Sequence, residues 1–275
     1  MTPAPIGAAA TVRDQLQHQL RLVFVALQFL TRMPAPRWVG YQPDWLNQSA
    51  RHFTLVGGLV GAFGALVLAG AAWGWPPMVA ALIALAASLA LTGAFHEDGL
   101  ADSFDALGGA VSRERALQIM KDSRIGSYGA AALVLALAGR AVLWAELIAR
   151  DTGLAVAALV LSAAWGRSAA VLLMAWLPYA GDAEHAKAKP LAQSVGRIEL
   201  GWTLAWSLVA ATLASMALPA GRLAAALAAT VLMVVVMQRW LTRRLGGYTG
   251  DTLGATEQLT ELAVLLVLVA RVGSS

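Results

Sequence analysis

The feature that most constrains this chain is its long runs of Ala, Leu and Val without a charge. The stretches 54–74 and 78–95 contain no Asp, Glu, Lys or Arg. A helix needs about 20 mostly apolar residues to cross about 30 Å of hydrocarbon. Stretches 129–149, 154–177, 202–219, 223–240 and 257–271 read the same way, so about seven spans are predicted. Composition agrees: 59% of the 275 residues are hydrophobic and 13% charged, with 26 Gly besides. A soluble domain carries about 45–50% apolar residues with Gly counted, and about 25% charged. A soluble globule would lack the polar residues to coat its surface, and a disordered chain is biased the opposite way. A membrane β-barrel shows short alternating segments instead. The predicted fold is all-α: one integral-membrane domain over 1–275, with a polytopic transmembrane helical bundle over 54–271.

The N-terminal region, 1–53, is more polar. Leu16, Leu20, Val23, Leu27 and Leu30 share a helical face, with Arg13, Gln17, Arg21 and Gln28 off it. That pattern predicts an amphipathic helix lying in the membrane interface. With the N-terminus inside, fifteen of the 20 Lys and Arg fall before the first span or in the loops around 96–128, 178–200 and 241–256. Only Arg150, Arg222 and Arg271 fall outside, and Arg140 and Arg167 lie within spans. This is a positive-inside distribution. It places the long polar loops, and the function, at the cytoplasmic face. Basic runs interleaved with aromatics are missing, so nucleic acid is not an expected partner. Gly57 and Gly61 read as a close helix-packing pair. Trp73, Trp75, Trp144, Trp202, Trp206 and Trp240 read as interfacial anchors.

Three polar clusters carry the chemistry. In the first, His96-Glu97-Asp98-Gly99-Leu100-Ala101-Asp102-Ser103-Phe104-Asp105, the carboxylates of Asp98, Asp102 and Asp105 are spaced i, i+4, i+7 on one helical face. Like charges so stacked repel, and a hard divalent cation, Mg²⁺ or Mn²⁺, relieves them while bridging to substrate phosphates. The blander alternative is a solvated acidic loop. The second cluster, Ile119-Met120-Lys121-Asp122-Ser123-Arg124-Ile125-Gly126, sets Lys121 and Arg124 before a helix start, where cations and a free N-terminus suit phosphate oxygens. An ordinary helix-start cluster is its alternative. The third, Gly246-Gly247-Tyr248-Thr249-Gly250-Asp251-Thr252-Leu253-Gly254-Ala255, is a Gly-rich loop whose backbone can approach a ligand. Arg140 and Arg167 either pair structurally with a buried carboxylate such as Glu146 or, as a basic wall, bind an anionic substrate. Together the clusters suggest metal-assisted phosphoryl transfer.

These three motifs, in this order, resemble the signatures of the cobalamin synthase family, the adenosylcobinamide-GDP ribazoletransferases. Phe29-Leu30-Thr31-Arg32-Met33-Pro34 and His52-Phe53-Thr54-Leu55-Val56-Gly57 also fit its N-terminal pattern. The resemblance implies a multi-pass enzyme of the bacterial inner membrane, its active site facing the cytoplasm. It implies two small-molecule substrates, adenosylcobinamide-GDP and α-ribazole or its 5′-phosphate. The products are adenosylcobalamin or its 5′-phosphate and GMP, with Mg²⁺ required. On that reading Asp98, Asp102 and Asp105 hold Mg²⁺ with Asp122, and Asp105 activates the hydroxyl. Lys121 and Arg124 bind diphosphate oxygens, with Arg167 as a further phosphate contact, and Gly250 and Asp251 complete the pocket. One departure lies after Leu177-Pro178-Tyr179-Ala180, where Gly181-Asp182-Ala183-Glu184-His185-Ala186-Lys187-Ala188-Lys189-Pro190 replaces the basic, Gly-containing stretch common in relatives. A CDP-alcohol phosphatidyltransferase-like enzyme is the first alternative, but Asp102 stands where its pattern wants Arg. A cation-coupled transporter is the second, although its ion sites belong near the midplane.

Overall fold

The computed structural model describes residues 12–181 and 195–270. Helices come in the order α1 (Val12–Leu30), α2 (Trp45–Ser49), α3 (Phe53–Ala71), α4 (Pro77–Thr92), α5 (Phe95–Leu107), α6 (Arg113–Ile119), α7 (Ser127–Arg150), α8 (Thr152–Trp176), α9 (Arg197–Ala214), α10 (Ala220–Leu245) and α11 (Gly250–Val269). Among the described residues no strand forms; one isolated parallel bridge joins Tyr179 to Tyr248. The all-α expectation holds.

Among the described residues, five helices are long and apolar enough to cross a membrane, or six if the bent pair α4–α5 counts as one span. About seven were expected, and two stretches account for the difference. The stretch 202–219 lies mostly in α9, which opens on Arg197 and Glu199. Glu199 is held by Arg51 at 2.5 Å, so the first turns of α9 carry polar residues and dilute its 18 residues. The stretch 78–95 ends early. Helix α4 has 16 residues and stops at Gly93, whose φ of 71° is left-handed. Ala94 follows at φ 57°, a region that costs a residue with a Cβ. Through this elbow α5 leaves α4 at 89°. Arg32 fits beside it: its backbone N–H donates to the Leu91 carbonyl at 2.8 Å, and a Cβ on Gly93 would meet its Nε.

Helix α8 forms the axis and is buried over most of its length. It packs against α3 as the Gly57–Gly61 pair predicts. A Cβ on Gly61 would lie 2.5 Å from the Leu159 carbonyl oxygen, and one on Gly57 would collide with that of Ala163. Helix α1 does form, but its buried stripe is Leu22, Ala26 and Leu30. Leu16 and Leu20 of the expected face are exposed, so this part of the face is not covered by the described residues. Of the predicted Trp anchors, Trp73 and Trp75 are exposed, whereas Trp144 is buried in the core. Its ring lies 5.3 Å from the Arg140 guanidinium carbon.

Arg140 and Arg167 do pair with buried carboxylates, but not with Glu146. Arg140 meets Glu97 at 2.7 Å and Glu261 at 3.5 Å. Arg167 meets Glu257 at 2.5 Å and Glu261 at 2.8 Å. Glu146 instead joins Arg150, one turn on along α7, at 3.6 Å. Six residues at 3.6 per turn place Glu146 well round the helix from Arg140, whereas four place it beside Arg150.

Candidate active site

The elbow lays α5 across one end of the bundle, and this brings the three clusters together. Helix α5 crosses the start of α11 at close range because both contact residues are glycines. A Cβ on Gly99 would lie 2.7 Å from the Asp251 carbonyl oxygen, and one on Gly254 3.1 Å from that of His96. The first and third clusters therefore touch.

The second cluster is tied to the first by Asp105. Its carboxylate accepts the backbone N–H of Gly126 at 2.7 Å and of Gly129 at 2.8 Å. Any side chain on either glycine would strike it. The N-terminus of α7 was expected to be free for substrate phosphate. It is instead occupied by the protein's own carboxylate, because a helix start offers unpaired N–H donors that any well-placed anion satisfies. Asp105 thus anchors the loop 120–126. The second and third clusters meet where the Thr249 hydroxyl donates to Met120 Sδ at 3.6 Å.

The loop into α11 is clamped from both sides. Gly246 ends α10 in the left-handed conformation, φ 71°. Tyr248 N–H donates to the Pro178 carbonyl at 3.0 Å, and Ala180 N–H to the Tyr248 carbonyl at 2.8 Å. A Cβ on Gly247 would collide with the Pro178 carbonyl. Arg113 donates to the Leu245 carbonyl at 2.7 Å and Arg244 to that of Gly109 at 2.6 Å. Thr249 caps α11, accepting from Thr252 N–H at 3.3 Å. Gly250 and Asp251 follow in the first turn. Burial pushes the Tyr248 phenol up to about 12, so it stays protonated. The remainder of the 178–200 loop, residues 182–194 with Lys187 and Lys189, lies outside the described residues.

Asp98 is exposed on α5 and Asp102, one turn on, is half-buried. Lys121 and Arg124 are exposed at the same end. Arg124 grips Asp122 with two side-chain nitrogens, at 2.9 and 2.6 Å, and with its backbone N–H at 3.1 Å. Those hydrogen bonds hold the Asp122 carboxyl down at about 2. Among the described residues no three acidic or His side chains converge as a preformed metal cage. The expected set of Asp98, Asp102, Asp105 and Asp122 is thus not assembled as one, with Asp105 bound to backbone and Asp122 to Arg124. What the donor chemistry fits is Asp98 and Asp102, a carboxylate pair one helical turn apart. Mg²⁺ is usually held that way, by one or two carboxylates with waters and substrate phosphates.

Arg167 is 3% exposed. It belongs to the buried cluster with Glu257 and Glu261, and the structure does not bring it to the polar end. The partners in that cluster escaped the sequence reading. The signal was present: Glu257 and Glu261 stand one turn apart inside a run read as a span, as an inward-facing charged pair does.

Fold and site together define a polytopic helical membrane protein with an acidic pair and basic side chains gathered at one end of its bundle. Residues 22–269 match the family described as cobalamin-5-phosphate synthase, and the chain belongs to it. It is 53% identical over 258 residues to an adenosylcobinamide-GDP ribazoletransferase of Leptothrix cholodnii, covering 94% of this chain and 98% of the relative. Proteins of the same description from Vibrio parahaemolyticus and Shewanella pealeana are 41% and 43% identical, each over at least 92% of this chain and 94% of the relative. No solved structure matches the chain.

Proposed function

We propose that this chain joins adenosylcobinamide-GDP to α-ribazole or its 5′-phosphate, releasing GMP. The cobalamin product is adenosylcobalamin or its 5′-phosphate. The observation that carries this reading is the meeting of three sequence-distant clusters at one end of the bundle: Gly99 on Asp251, Asp105 on Gly126 and Gly129, and Thr249 on Met120. Family membership supports the substrates, and the transporter and phosphatidyltransferase alternatives lose their ground to it.

A ribose hydroxyl attacks the cobinamide-side phosphorus of the diphosphate. The new P–O bond forms as the bond to GMP breaks, GMP leaves with the electron pair, and a carboxylate takes the hydroxyl proton. Mg²⁺, when bound, neutralises charge on the diphosphate. Asp98 and Asp102 are the residues to hold it, and one of them receives the proton. Asp105 keeps the second cluster in place and is not the base. Lys121 and Arg124 face the diphosphate as cations; binding an anion requires Arg124 to share or release Asp122. Gly250 and Asp251 line the pocket beside Gly99. The basic residues flanking the spans support a site on the cytoplasmic side of the inner membrane, with the exposed half of α1 in the lipid interface.

The test is GMP release from adenosylcobinamide-GDP by the reconstituted protein with Mg²⁺ present or chelated. Asp98→Asn and Asp102→Asn are expected to abolish it while inserting normally. Full turnover by Asp102→Asn overturns the assignment.

A further inference from the structure

Glu97 immediately precedes Asp98, yet its side chain goes the other way, into the bundle. It accepts from Arg140 Nη1 at 2.7 Å and from Gln258 Nε2 at 3.1 Å. Besides Glu97, the cluster it enters holds His96 from α5, Arg140 from α7, Arg167 from α8, and Glu257, Gln258 and Glu261 from α11. Each is at most 5% exposed.

The cluster sets three carboxyl groups, Glu97, Glu257 and Glu261, against two guanidiniums. Arg167 has Glu257 and Glu261, and Arg140 has Glu261. Glu97 is the nearer carboxyl to Arg140, at 2.7 Å against 3.5 Å for Glu261. The Glu97 Oε2 is buried without a hydrogen-bond partner among the described residues. A buried polar atom left without a partner costs stability. A feature that violates local physical preference points to function.

The element in need of such a residue is α5. It hangs from α4 by an elbow with two left-handed residues, Gly93 and Ala94. It meets α11 through Gly99 and Gly254, which allow close approach; Asp105 pins its far end, and Glu97 is the polar tether at the end next to the elbow. Consecutive residues on a helix are about 100° apart. With Glu97 drawn inward, Asp98 is turned to the rim, and Asp102 follows one turn later.

We infer that Glu97 is a positioning residue: through Arg140 and Gln258 it sets the rotation of α5 that presents Asp98 and Asp102 to substrate. This rests on the assignment of those two residues to the transfer site. Glu97→Gln keeps the length and one acceptor and removes the charge. Glu97→Asp keeps the charge and shortens the reach, and Glu97→Ala removes both.

The chain has no cysteine, so a nitroxide on Gly109→Cys gives a single reporter two residues past α5. A Cβ there meets nothing within 4 Å. The Gln variant is expected to keep kcat within about threefold and the parent's spectral line shape, while Ala and Asp lose about 10²-fold in kcat, a misplacement effect. Their nitroxides become more mobile, and KM changes less than kcat. An active Asp variant beside a dead Gln variant, or an Ala variant with parental kcat and line shape, overturns the inference. A parent that releases no GMP sinks the assigned reaction alone. In that case a loosened Ala spectrum still supports the tether, and an unchanged one overturns it.

Discussion

Replacing Asp105 by Asn separates holding a loop from doing chemistry. Asn has the same size but only one accepting oxygen. Of the two N–H groups now satisfied, at Gly126 and Gly129, one keeps an acceptor and the other faces an NH₂ group. Leaving one donor without its charged acceptor costs about 2 kcal/mol. That corresponds to about 4–8 °C in unfolding midpoint for a domain of 150–250 residues. Asp98 is exposed, and Asp98→Asn should stay within about 0.5 kcal/mol of the parent. The assay is thermal unfolding of the purified proteins in one detergent, beside GMP release well below both midpoints. The expected pattern is crossed: Asp105→Asn loses stability and keeps part of its turnover, whereas Asp98→Asn keeps stability and loses turnover. An unshifted midpoint for Asp105→Asn, together with complete inactivity, would refute the anchoring role and return Asp105 to the catalytic set.

Other outcomes follow from the packing and the charges. Gly61→Val puts a branched side chain where a Cβ already lies 2.5 Å from a backbone oxygen; overpacking of about 1–3 kcal/mol should lower the midpoint. Gly70→Ala, at a site of the same helix with nothing within 4 Å, should be neutral or stabilising by up to about 1 kcal/mol. Arg140→Met strands Glu97 and half of the charge on Glu261, and should destabilise by about 3–5 kcal/mol, read as lost folded yield. Asp122 has its carboxyl depressed from 3.8 to about 2 by Arg124. Its contribution is therefore complete above pH about 4 and is lost only as pH falls through about 2. An acid limb in turnover between pH 5 and 7 should persist in Asp122→Asn; its disappearance would place the limb on this residue.

The spans were legible because hydrocarbon imposes a length and an apolarity that a sequence displays directly. The exceptions came where a helix is decided by its ends. Nothing in a run of Leu and Ala announces that α4 will stop at Thr92, because the elbow depends on left-handed backbone at Gly93 and at Ala94, an unremarkable residue in the sequence. The acidic face of α5 was readable from its spacing, but the fate of each carboxylate was not. Asp105 looked like its neighbours until the glycines 21 and 24 residues away came to it. Two partners of Arg140 and Arg167, Glu257 and Glu261, sat in a run counted as apolar, and the third, Glu97, in the cluster read only for its Asp face. Glu146 is nearer in sequence but on the wrong side of its helix.

The elbow between α4 and α5 also changes how far the chemistry stands from the lipid. The 13 residues of α5 would reach about 20 Å outward at 1.5 Å per residue had α4 continued straight. Turned through 89°, they stay within about one helix diameter, 10–12 Å, of the bundle's end. On the proposed function, this placement predicts that a reactant resting on the bilayer reaches Asp98 and Asp102 without leaving the surface, in a two-dimensional search to which lateral diffusion contributes.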